Sequence, residues 1–211
     1  MSPGSGSTGE TGEARFSGVK TICVFCGSAN GRREGYARSA RKFGAALAAK
    51  GLGLVYGGGS IGLMGVVADA ALEGGAPVVG VIPRALFRRE IAHHGLTRLE
   101  VVPSMHVRKA RMARLSDAFV ALPGGIGTLE ELFEAWTWGQ LGLHAKPCGL
   151  LNVAGYFDGL IAFLDHAVDE RFVREATRSM LIVGDDPSEL LDRFAGYRAP
   201  TVEKWIRKGE S

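Results

Sequence analysis

The sequence has few cysteines, no long apolar run and little excess charge, and each of these absences excludes a class of protein. The 3 cysteines in 211 residues are too few for a disulfide framework, which indicates a reducing compartment such as the cytoplasm. The absence of any run of about eighteen apolar residues excludes a membrane-spanning helix and a membrane partner. Because 25 basic and 22 acidic residues leave a net charge of only +3, the totals show no nucleic-acid-binding surface.

Several catalytic and targeting signals are also missing. None of the 5 histidines has the spacing of metal ligands, so no metal site is expected, and no Gly-x-Ser-x-Gly segment supports a serine hydrolase. Cys23 and Cys26 are spaced as CxxC, but Cys23 falls inside a predicted strand, which favours two core thiols over a redox pair. Residues 1–18 are rich in Gly, Ser, Thr and Glu and lack the apolar segment of a signal peptide. They are predicted to form a disordered tail.

Glycine is the residue that the sequence has in excess. Its 31 copies are about twice the usual share, and they cluster at a few junctions instead of forming a repeat. Clustered glycine indicates backbone that approaches a ligand closely, because no Cβ stands in the way.

The order of apolar patterns predicts an α/β fold. Short β-branched runs alternate with helical patterns, which is typical of a doubly wound, Rossmann-like, mostly parallel seven-stranded sheet with helices on both faces. No linker divides the pattern, so one catalytic domain is predicted over residues 19–197, with a C-terminal tail over residues 198–211. The predicted strands are Thr21–Phe25, Leu52–Tyr56, Pro77–Ile82, Arg98–Val102, Ala118–Leu122, Cys148–Val153 and Met180–Val183. The predicted helices are Glu34–Lys50, Gly62–Glu73, Met105–Leu115, Thr128–Leu141, Asp158–Asp169 and Ser188–Phe194.

Three glycine-rich loops follow predicted strands, at residues 27–31, 57–65 and 122–131. In a doubly wound sheet, ligands bind beyond the carboxyl ends of the strands. Glycines at a strand-to-helix junction let backbone N–H groups and the positive end of the helix approach a phosphate. The loops match neither GxGxxG nor a Walker loop, and for the second loop a tight turn with close helix packing is the alternative.

The third loop admits two interpretations of Thr128 and Glu131. Thr128 has the character of an N-cap, and Glu131 then completes a Thr-x-x-Glu capping box. Alternatively, an anion at this helix start uses the same N–H groups and leaves Glu131 free to face the ligand. A helical wheel places Glu131 away from the core stripe, on the side of Trp138, which indicates a site wall or a subunit interface.

Arg108 falls on the apolar stripe that Met105 and Met112 define in its predicted helix. A charge directed inward is costly unless it is paired, so Arg108 is expected to meet a protein carboxylate or a ligand anion. The alternative is a side chain that extends past the stripe to solvent. A solvated face, with Lys109 still close to the site, is predicted for Lys109, Arg111 and Arg114.

Four segments together resemble a known family. They are Tyr56-Gly57-Gly58-Gly59 with Gly62-Leu63-Met64-Gly65, Arg89-Glu90-Ile91, Met105-His106-x-Arg108-Lys109, and Pro123-Gly124-Gly125-x-Gly127-Thr128-x-x-Glu131. They are similar to those of the LOG ("lonely guy") family of cytokinin riboside 5′-monophosphate phosphoribohydrolases. The resemblance extends from about Thr21 to Phe194.

The resemblance implies an N-glycosyl hydrolase that uses no organic cofactor. Its substrate is a small nucleotide, an N6-modified adenosine 5′-monophosphate, which is cleaved to the free base (a cytokinin) and ribose 5-phosphate. A homodimer with sites completed across subunits is implied too, and Trp138, Leu141 and Leu143 suit an apolar interface. By position, Arg108 and Glu131 form the catalytic pair. The substrate-binding residues are Gly27, Ser28, Gly58, Gly59, Met64, Glu90, Lys109, Gly124, Gly125, Ile126, Gly127, Thr128, Leu129, Glu130 and Thr137.

The chemistry of the implied reaction agrees with these assignments. Breaking a ribosyl bond builds positive charge on the sugar, which a carboxylate such as Glu131 stabilises while it orients or deprotonates water. The 5′-phosphate needs donors at helix starts, which the loops at 57–65 and 124–128 offer. Arg108 either fixes Glu131 and the ribose or stabilises the departing base. Trp136 and Gly139 depart from the family pattern, which leaves the preferred N6 group open.

The same residues are compatible with functions other than cytokinin release. A non-catalytic nucleotide-binding or carrier protein would use the same glycine loops, although Glu131 and the inward Arg108 argue against it. An AMP nucleosidase of purine salvage would use the same chemistry on plain AMP. Related proteins have often been labelled lysine decarboxylases, but that activity requires pyridoxal phosphate, and no Schiff-base lysine site is evident.

Overall fold

The computed structural model of the chain describes residues 18–87 and 92–200. The predicted tail up to residue 17, the tail from residue 201 onward and Glu90 lie outside the described residues. Within them, seven strands form one sheet in the order β4-β3-β2-β1-β5-β6-β7, and every neighbouring pair is parallel. The strands are β1 (Thr21–Phe25), β2 (Gly53–Tyr56), β3 (Val78–Pro83), β4 (Arg98–Val102), β5 (Ala118–Ala121), β6 (Cys148–Leu151) and β7 (Leu181–Gly184).

The helices of the described residues alternate with these strands. They are α1 (Glu34–Ala49), α2 (Gly62–Glu73), α3 (Arg84–Phe87), α4 (Met105–Leu115), α5 (Ile126–Gln140), α6 (Asp158–Asp169), α7 (Glu175–Arg178) and α8 (Pro187–Ala195). The predicted doubly wound α/β fold is therefore confirmed. In the part of the chain that the structure covers, no helix is both long and apolar enough to cross a membrane.

Helices cover both faces of the sheet, and buried side chains alternate between two cores along the central strands. In β1, Ile22 and Val24 belong to the core that α1, α2 and α8 cover. Cys23 and Phe25 belong to the core that α4, α5 and α6 cover. This burial on both faces explains why the strands are apolar throughout and do not alternate.

The strand order places a crevice at the carboxyl ends of β1 and β5. These strands are neighbours, with Phe25 opposite Ala121 in the register. β1 leads to α1 on one face, whereas β5 leads to α5 on the other, so the two loops diverge and leave a ligand site between them. The loops touch at their bases, where the Gly27 N–H donates to the Pro123 carbonyl at 3.0 Å.

All the predicted strand and helix boundaries agree with the structure within two residues, and the two-residue differences have local causes. β6 ends at Leu151 and not at Val153, because Val153–Gly155 form a 3₁₀ turn. α5 begins at Ile126, two residues before the predicted start at Thr128. The sequence pattern predicts neither α3 nor α7, because four residues are too few to show a helical repeat.

Candidate active site

A cavity of about 290 Å³ lies in this crevice, and we call it the switch-point cavity. Its walls come from the β1 loop, the first turns of α2 and α4, and the start of α5. The cavity brings together ten of the residues predicted for the site: Gly27, Ser28, Met64, Arg108, Gly125, Ile126, Gly127, Thr128, Glu130 and Glu131.

Arg108 is buried in the wall of this cavity and is held by two acceptors. Its Nε donates to the Val81 carbonyl at 3.0 Å, and its Nη1 lies 3.5 Å from Oε1 of Glu131. Only 9% of the Arg108 side chain is exposed, and only 12% of Glu131. The predicted inward charge is therefore confirmed, and its partner is a protein carboxylate. Since the guanidinium is held at two points, it presents a fixed positive charge to the cavity.

Glu131 is a buried carboxylate at the edge of the same cavity. Glu131 lies outside both hydrophobic cores, as the helical wheel indicates, and it forms part of a site wall, where Arg108 of α4 contacts it. Burial raises the pKa of Glu131 above that of an ordinary glutamate, while the charge of Arg108 opposes the rise. The neighbouring carboxylate of Glu130 adds to the rise. A carboxylate with an elevated pKa beside an arginine is typical of groups that transfer protons or stabilise developing positive charge.

The start of α5 is an open donor surface and not a capping box. Gly125 is the N-cap, no side chain caps the helix, and Thr128 is buried inside the first turn. The prediction that Thr128 caps the helix is therefore wrong, because Gly124 and Gly125 let α5 start two residues earlier, at Ile126. The first helical hydrogen bond runs from the Leu129 N–H to the Gly125 carbonyl at 3.2 Å. The N–H groups of Ile126, Gly127 and Thr128 precede it, which is the arrangement that binds anions.

The start of α2 is not a second such donor surface. The N–H groups of Leu63 and Met64 donate to the Gly27 carbonyl at 3.0 and 3.3 Å. The prediction that the loop at 57–65 offers helix-start donors to a phosphate is therefore wrong for the N–H groups of Leu63 and Met64. Instead, α2 fixes the β1 loop, and the donors of α5 remain for an anion.

Lys109 joins α4 to α5 on the outer side of the pair. Its ammonium group binds Glu130 and lies 3.0 Å from Glu134, and only 11% of the side chain is exposed. Partial burial lowers the pKa of Lys109, but the hydrogen bonds to the two carboxylates outweigh it and raise the pKa overall. The prediction of a solvated face is wrong for Lys109, because the two helices pack against each other. Arg111 is half-exposed and binds Glu100 through two hydrogen bonds, and Arg114 is exposed.

The predicted CxxC pair consists of separate core thiols. Cys23 and Cys26 are buried and free, and burial raises the pKa of both. Successive strand residues point to opposite faces, so the two side chains belong to different cores.

Comparisons with known proteins give the geometry its context. A family model described as "Possible lysine decarboxylase" matches residues 64–194. The cytokinin riboside 5′-monophosphate phosphoribohydrolase LOG1 of Arabidopsis thaliana is 48% identical over 196 residues, which cover 93% of this chain and 90% of the relative. The cytokinin riboside 5′-monophosphate phosphoribohydrolase LOG of Oryza sativa subsp. japonica is 50% identical over 183 residues, which cover 87% of this chain and 76% of the relative. The chain belongs to the LOG family.

Solved structures with the same architecture are more distant in sequence. The molybdenum cofactor binding protein from Rippkaea orientalis has a TM-score of 0.63 and 20% identity, covering 82% of this chain and 94% of that one. The molybdenum cofactor carrier protein from Chlamydomonas reinhardtii has a TM-score of 0.62 and 22% identity, and the match covers 82% of this chain and 95% of that protein. At this identity, the likeness shows that this LOG-family chain shares their fold.

Several residues predicted from the LOG-family resemblance lie outside the switch-point cavity. Gly58 and Gly59 are buried against the chain that follows Glu90, since the Gly58 carbonyl accepts from the His93 N–H and Gly59 pairs with Ala92. Glu90 itself is not among the described residues. Four more predicted residues lie outside the cavity. Lys109 binds Glu130 and Glu134, and Gly124 borders a neighbouring cavity. Leu129 packs against the second core, and Thr137 is exposed two turns further along α5.

Three residues at the site of this LOG-family chain were not among the predicted substrate-binding residues. Cys26 and Met105 line the switch-point cavity. Gly57 makes room for Arg108, because a Cβ at this position would overlap the guanidinium. The glycine run at 57–59 was a usable signal, but the sequence alone does not say that its first glycine faces Arg108.

We therefore predict that Gly57→Ala lowers activity without removing any charged group. The added methyl displaces the guanidinium of Arg108 from Val81 and Glu131, because it would occupy the place of the guanidinium next to the end of β2 in a closely packed interior. Turnover should fall by about tenfold or more. Gly159→Ala, on α6 with open space around its Cβ, is the matched control and should keep wild-type turnover. Equal turnover in both variants would contradict the assigned role of Gly57.

Proposed function

We propose that this chain hydrolyses the N-glycosidic bond of an N6-modified adenosine 5′-monophosphate. The observation that carries the proposal is the buried Arg108–Glu131 pair, which shares one cavity with the open N-terminus of α5. The pair supplies charges for bond cleavage, and the helix start supplies donors for a phosphate. LOG-family relatives that are 48 to 50% identical over most of this chain carry the corresponding enzyme name.

The 5′-phosphate binds at the start of α5 in this proposal. The N–H groups of Ile126, Gly127 and Thr128 and the positive end of the helix dipole neutralise its charge. Gly125 and Gly127 are exposed, and no protein atom lies within 4 Å of the place that a Cβ would take at either residue. The space beside the helix start is therefore open to a phosphate. Binding the phosphate there orients the ribose toward Glu131, one turn further along the same helix.

Glu131 acts on the anomeric carbon and its attacking water. As the C1′–N9 bond breaks, positive charge develops on the ribose, and the carboxylate stabilises it. Glu131 also orients or deprotonates the water whose oxygen joins C1′, and a proton passes to the departing base. The products are the free base and ribose 5-phosphate.

Arg108 holds the carboxylate in the position that this chemistry requires. Its guanidinium is bound to the Val81 carbonyl of β3, so it is anchored to the sheet while it contacts Glu131. Lys109 and Glu134 fix the same two helices from outside. From this place Arg108 acts either on Glu131 and the ribose or on the departing base.

The proposal is tested by supplying the purified protein with three compounds separately. They are N6-isopentenyladenosine 5′-monophosphate, AMP and N6-isopentenyladenosine, and the products are separated by chromatography. Base and ribose 5-phosphate should form from the monophosphates and not from the nucleoside, because α5 binds the phosphate. The ratio of the two rates separates an N6-selective enzyme from an AMP nucleosidase. Nucleotide binding without release of base from any compound would support a carrier and overturn the proposal.

The pH dependence of turnover should show the environment of Glu131. We expect the rate to fall on the acid side with a midpoint above that of an ordinary glutamate, because burial raises the pKa and protonation removes the working carboxylate. Because the pKa of Glu131 is higher in the folded protein than in the unfolded chain, protonated Glu131 stabilises the fold. This stabilisation is complete at pH values below the pKa of the unfolded chain, and it is lost as the pH rises through the pKa of the folded protein. Rates measured from about pH 4 to about pH 8 test the first expectation. A midpoint at the ordinary glutamate value would contradict it.

We also propose that the chain forms a homodimer whose interface borders the switch-point cavity. Val101, Met105 and Val107 are exposed apolar side chains at the end of β4 and the start of α4, and Met105 lines the cavity. Leu143 is exposed as well, whereas Trp138 and Leu141 are half-buried within the single chain. The apolar patch at α4 suits an interface better than solvent.

Light scattering should therefore give twice the 22.4 kDa of one chain. Val107→Glu places a charge in the patch and should reduce the mass to that of one chain, while Ala162→Glu, an exposed position on α6, should not. A wild-type mass of one chain at micromolar concentration would overturn the dimer.

Residues 19–197 are proposed to act as a single domain in a reducing compartment such as the cytoplasm. The proposal of a single domain is supported by one sheet that carries both cores among the described residues. Cys23, Cys26 and Cys148 are free and buried, and burial raises the pKa of Cys148 to about 12. Buried thiols that remain protonated are poor disulfide formers.

A further inference from the structure

A second cavity of about 300 Å³ adjoins the switch-point cavity. We call it the tyrosine cavity, because the rings of Tyr36 and Tyr156 form part of its wall together with Leu63 and Pro123. Gly27, Ser28 and Gly125 line both cavities, so only the β1 loop and the start of α5 separate them. Its volume is within the usual range for small-ligand sites.

The walls of the tyrosine cavity suit a flat, neutral aromatic ring. The rings of Tyr36 and Tyr156 meet edge to face with centroids 5.5 Å apart, and Leu63 and Pro123 add apolar surface. Ser28 and Asn30 supply polar side chains at the rim. Among the described residues that line this cavity, none carries a charge at neutral pH, so no side chain there balances the charge of a phosphate.

Of the two products of the proposed reaction, only the free base has this chemistry. Ribose 5-phosphate is a sugar with a charged phosphate, which the N-terminus of α5 binds better. The base is a planar heteroaromatic ring with polar edges, and an N6 substituent makes it more apolar. The cavity lies beside the place where the base is released, on the other side of Gly125.

A direct hydrogen bond couples this cavity to the catalytic helix. The Tyr156 hydroxyl donates to the Gly124 carbonyl at 2.6 Å, and Gly124 lies immediately before the N-cap of α5. Gly124 is closely packed against Gly27 and Thr128, since an added Cβ would lie 2.8 Å from the Gly27 nitrogen and would overlap the Thr128 side chain. A ligand that displaces the Tyr156 ring therefore acts on the start of the helix that carries Glu131.

We propose that the tyrosine cavity binds the free purine base released by this enzyme and that its occupancy slows turnover through Tyr156 and Gly124. The inference rests on the proposed function, because that function makes the base a product. It assigns a regulatory site for the product outside the cavity in which the bond is cleaved.

The test measures binding and inhibition by N6-isopentenyladenine on the full chain. Ala29 is exposed and lines only the tyrosine cavity, so Ala29→Phe fills that cavity with a benzyl group. Ala162→Phe, at an exposed position on α6, is the matched control. Calorimetry with saturating ribose 5-phosphate gives the Kd for the base, and initial rates at several monophosphate and base concentrations give the type of inhibition.

The wild type and Ala162→Phe should bind the base with the same Kd, and added base should lower kcat. Ala29→Phe should raise the Kd by more than about tenfold and abolish the effect on kcat. Tyr156→Phe removes the hydrogen bond to Gly124 but keeps the ring, so binding should persist within about twofold while the effect on kcat is lost.

Two results separate failure of this inference from failure of the proposed function. Base release from the monophosphates, with inhibition that only raises KM and is equal in Ala29→Phe and the wild type, overturns the regulatory site alone. The opposite result is that the base binds, that Ala29→Phe abolishes this binding, and that no base is released from the monophosphates. It supports the tyrosine cavity as a purine site but overturns its role as a site for the product.

Discussion

Glu131→Gln is expected to lower kcat by at least about a hundredfold while the 5′-monophosphate still binds. The amide keeps the size of the side chain but carries no negative charge for the developing positive charge of the ribose, and it cannot take a proton from water. The phosphate donors at the start of α5 are one turn away and remain unchanged. Turnover is measured by base release, and binding of AMP by calorimetry.

The control for this variant is Glu189→Gln, an exposed glutamate on α8 at the opposite face of the sheet. It should have wild-type turnover and binding. Full activity of Glu131→Gln would assign Glu131 to a structural role beside Arg108 and would remove the basis of the proposed mechanism. Loss of binding together with turnover would indicate a disturbed helix start, which circular dichroism and thermal unfolding would reveal.

Arg108→Met is expected to have the largest effect on stability. The substitution fills a similar volume but leaves the buried carboxylate of Glu131 without its counter-charge and the Val81 carbonyl without its donor. Breaking such a pair on one side costs about 3 kcal/mol or more of unfolding free energy at neutral pH. Turnover should fall as well, because the carboxylate then holds its proton at higher pH.

A double variant distinguishes loss of the charge pair from loss of packing. Arg108→Met combined with Glu131→Gln removes both charges, so it should recover part of the stability that Arg108→Met loses but none of the activity. Urea unfolding of the wild type, both single variants and the double variant measures the coupling energy. At acid pH the destabilisation in Arg108→Met should shrink, since protonation of Glu131 removes the unpaired charge. Additive effects of the two substitutions would contradict a direct interaction between these side chains.

The sequence predicted the architecture well because each strand and helix has a strong local pattern. Burial on both faces makes β1 and β5 continuous apolar runs, and the three- and four-residue spacing marks α2, α4 and α6 with the bounds that the structure shows. Arg108 was recognisable for the same reason, as a charge on an otherwise apolar stripe. The alternatives that the pattern left open for its partner were a ligand or a carboxylate.

Local reasoning was wrong where a second element changes the environment of a residue. Thr128 has the side chain of an N-cap, but the preceding glycines extend α5 and bury it. Lys109 has the pattern of a solvated residue until α5 brings Glu130 and Glu134 against it. In both cases the decisive neighbours follow from packing and not from propensity.

The amino-acid sequence by itself determined the parallel sheet, the glycine loops at the ends of its strands, one inward arginine and a glycine-rich helix start that two glutamates follow. Local sterics and hydrophobic periodicity are sufficient for these, because they act between residues a few positions apart. Only the tertiary structure decided that Arg108 meets Glu131, that Gly57 makes room for the guanidinium and that two cavities flank Gly125. Those contacts join residues that are distant in the chain, and they depend on how α4 and α5 pack on one face of the sheet beside the point where the strand order reverses.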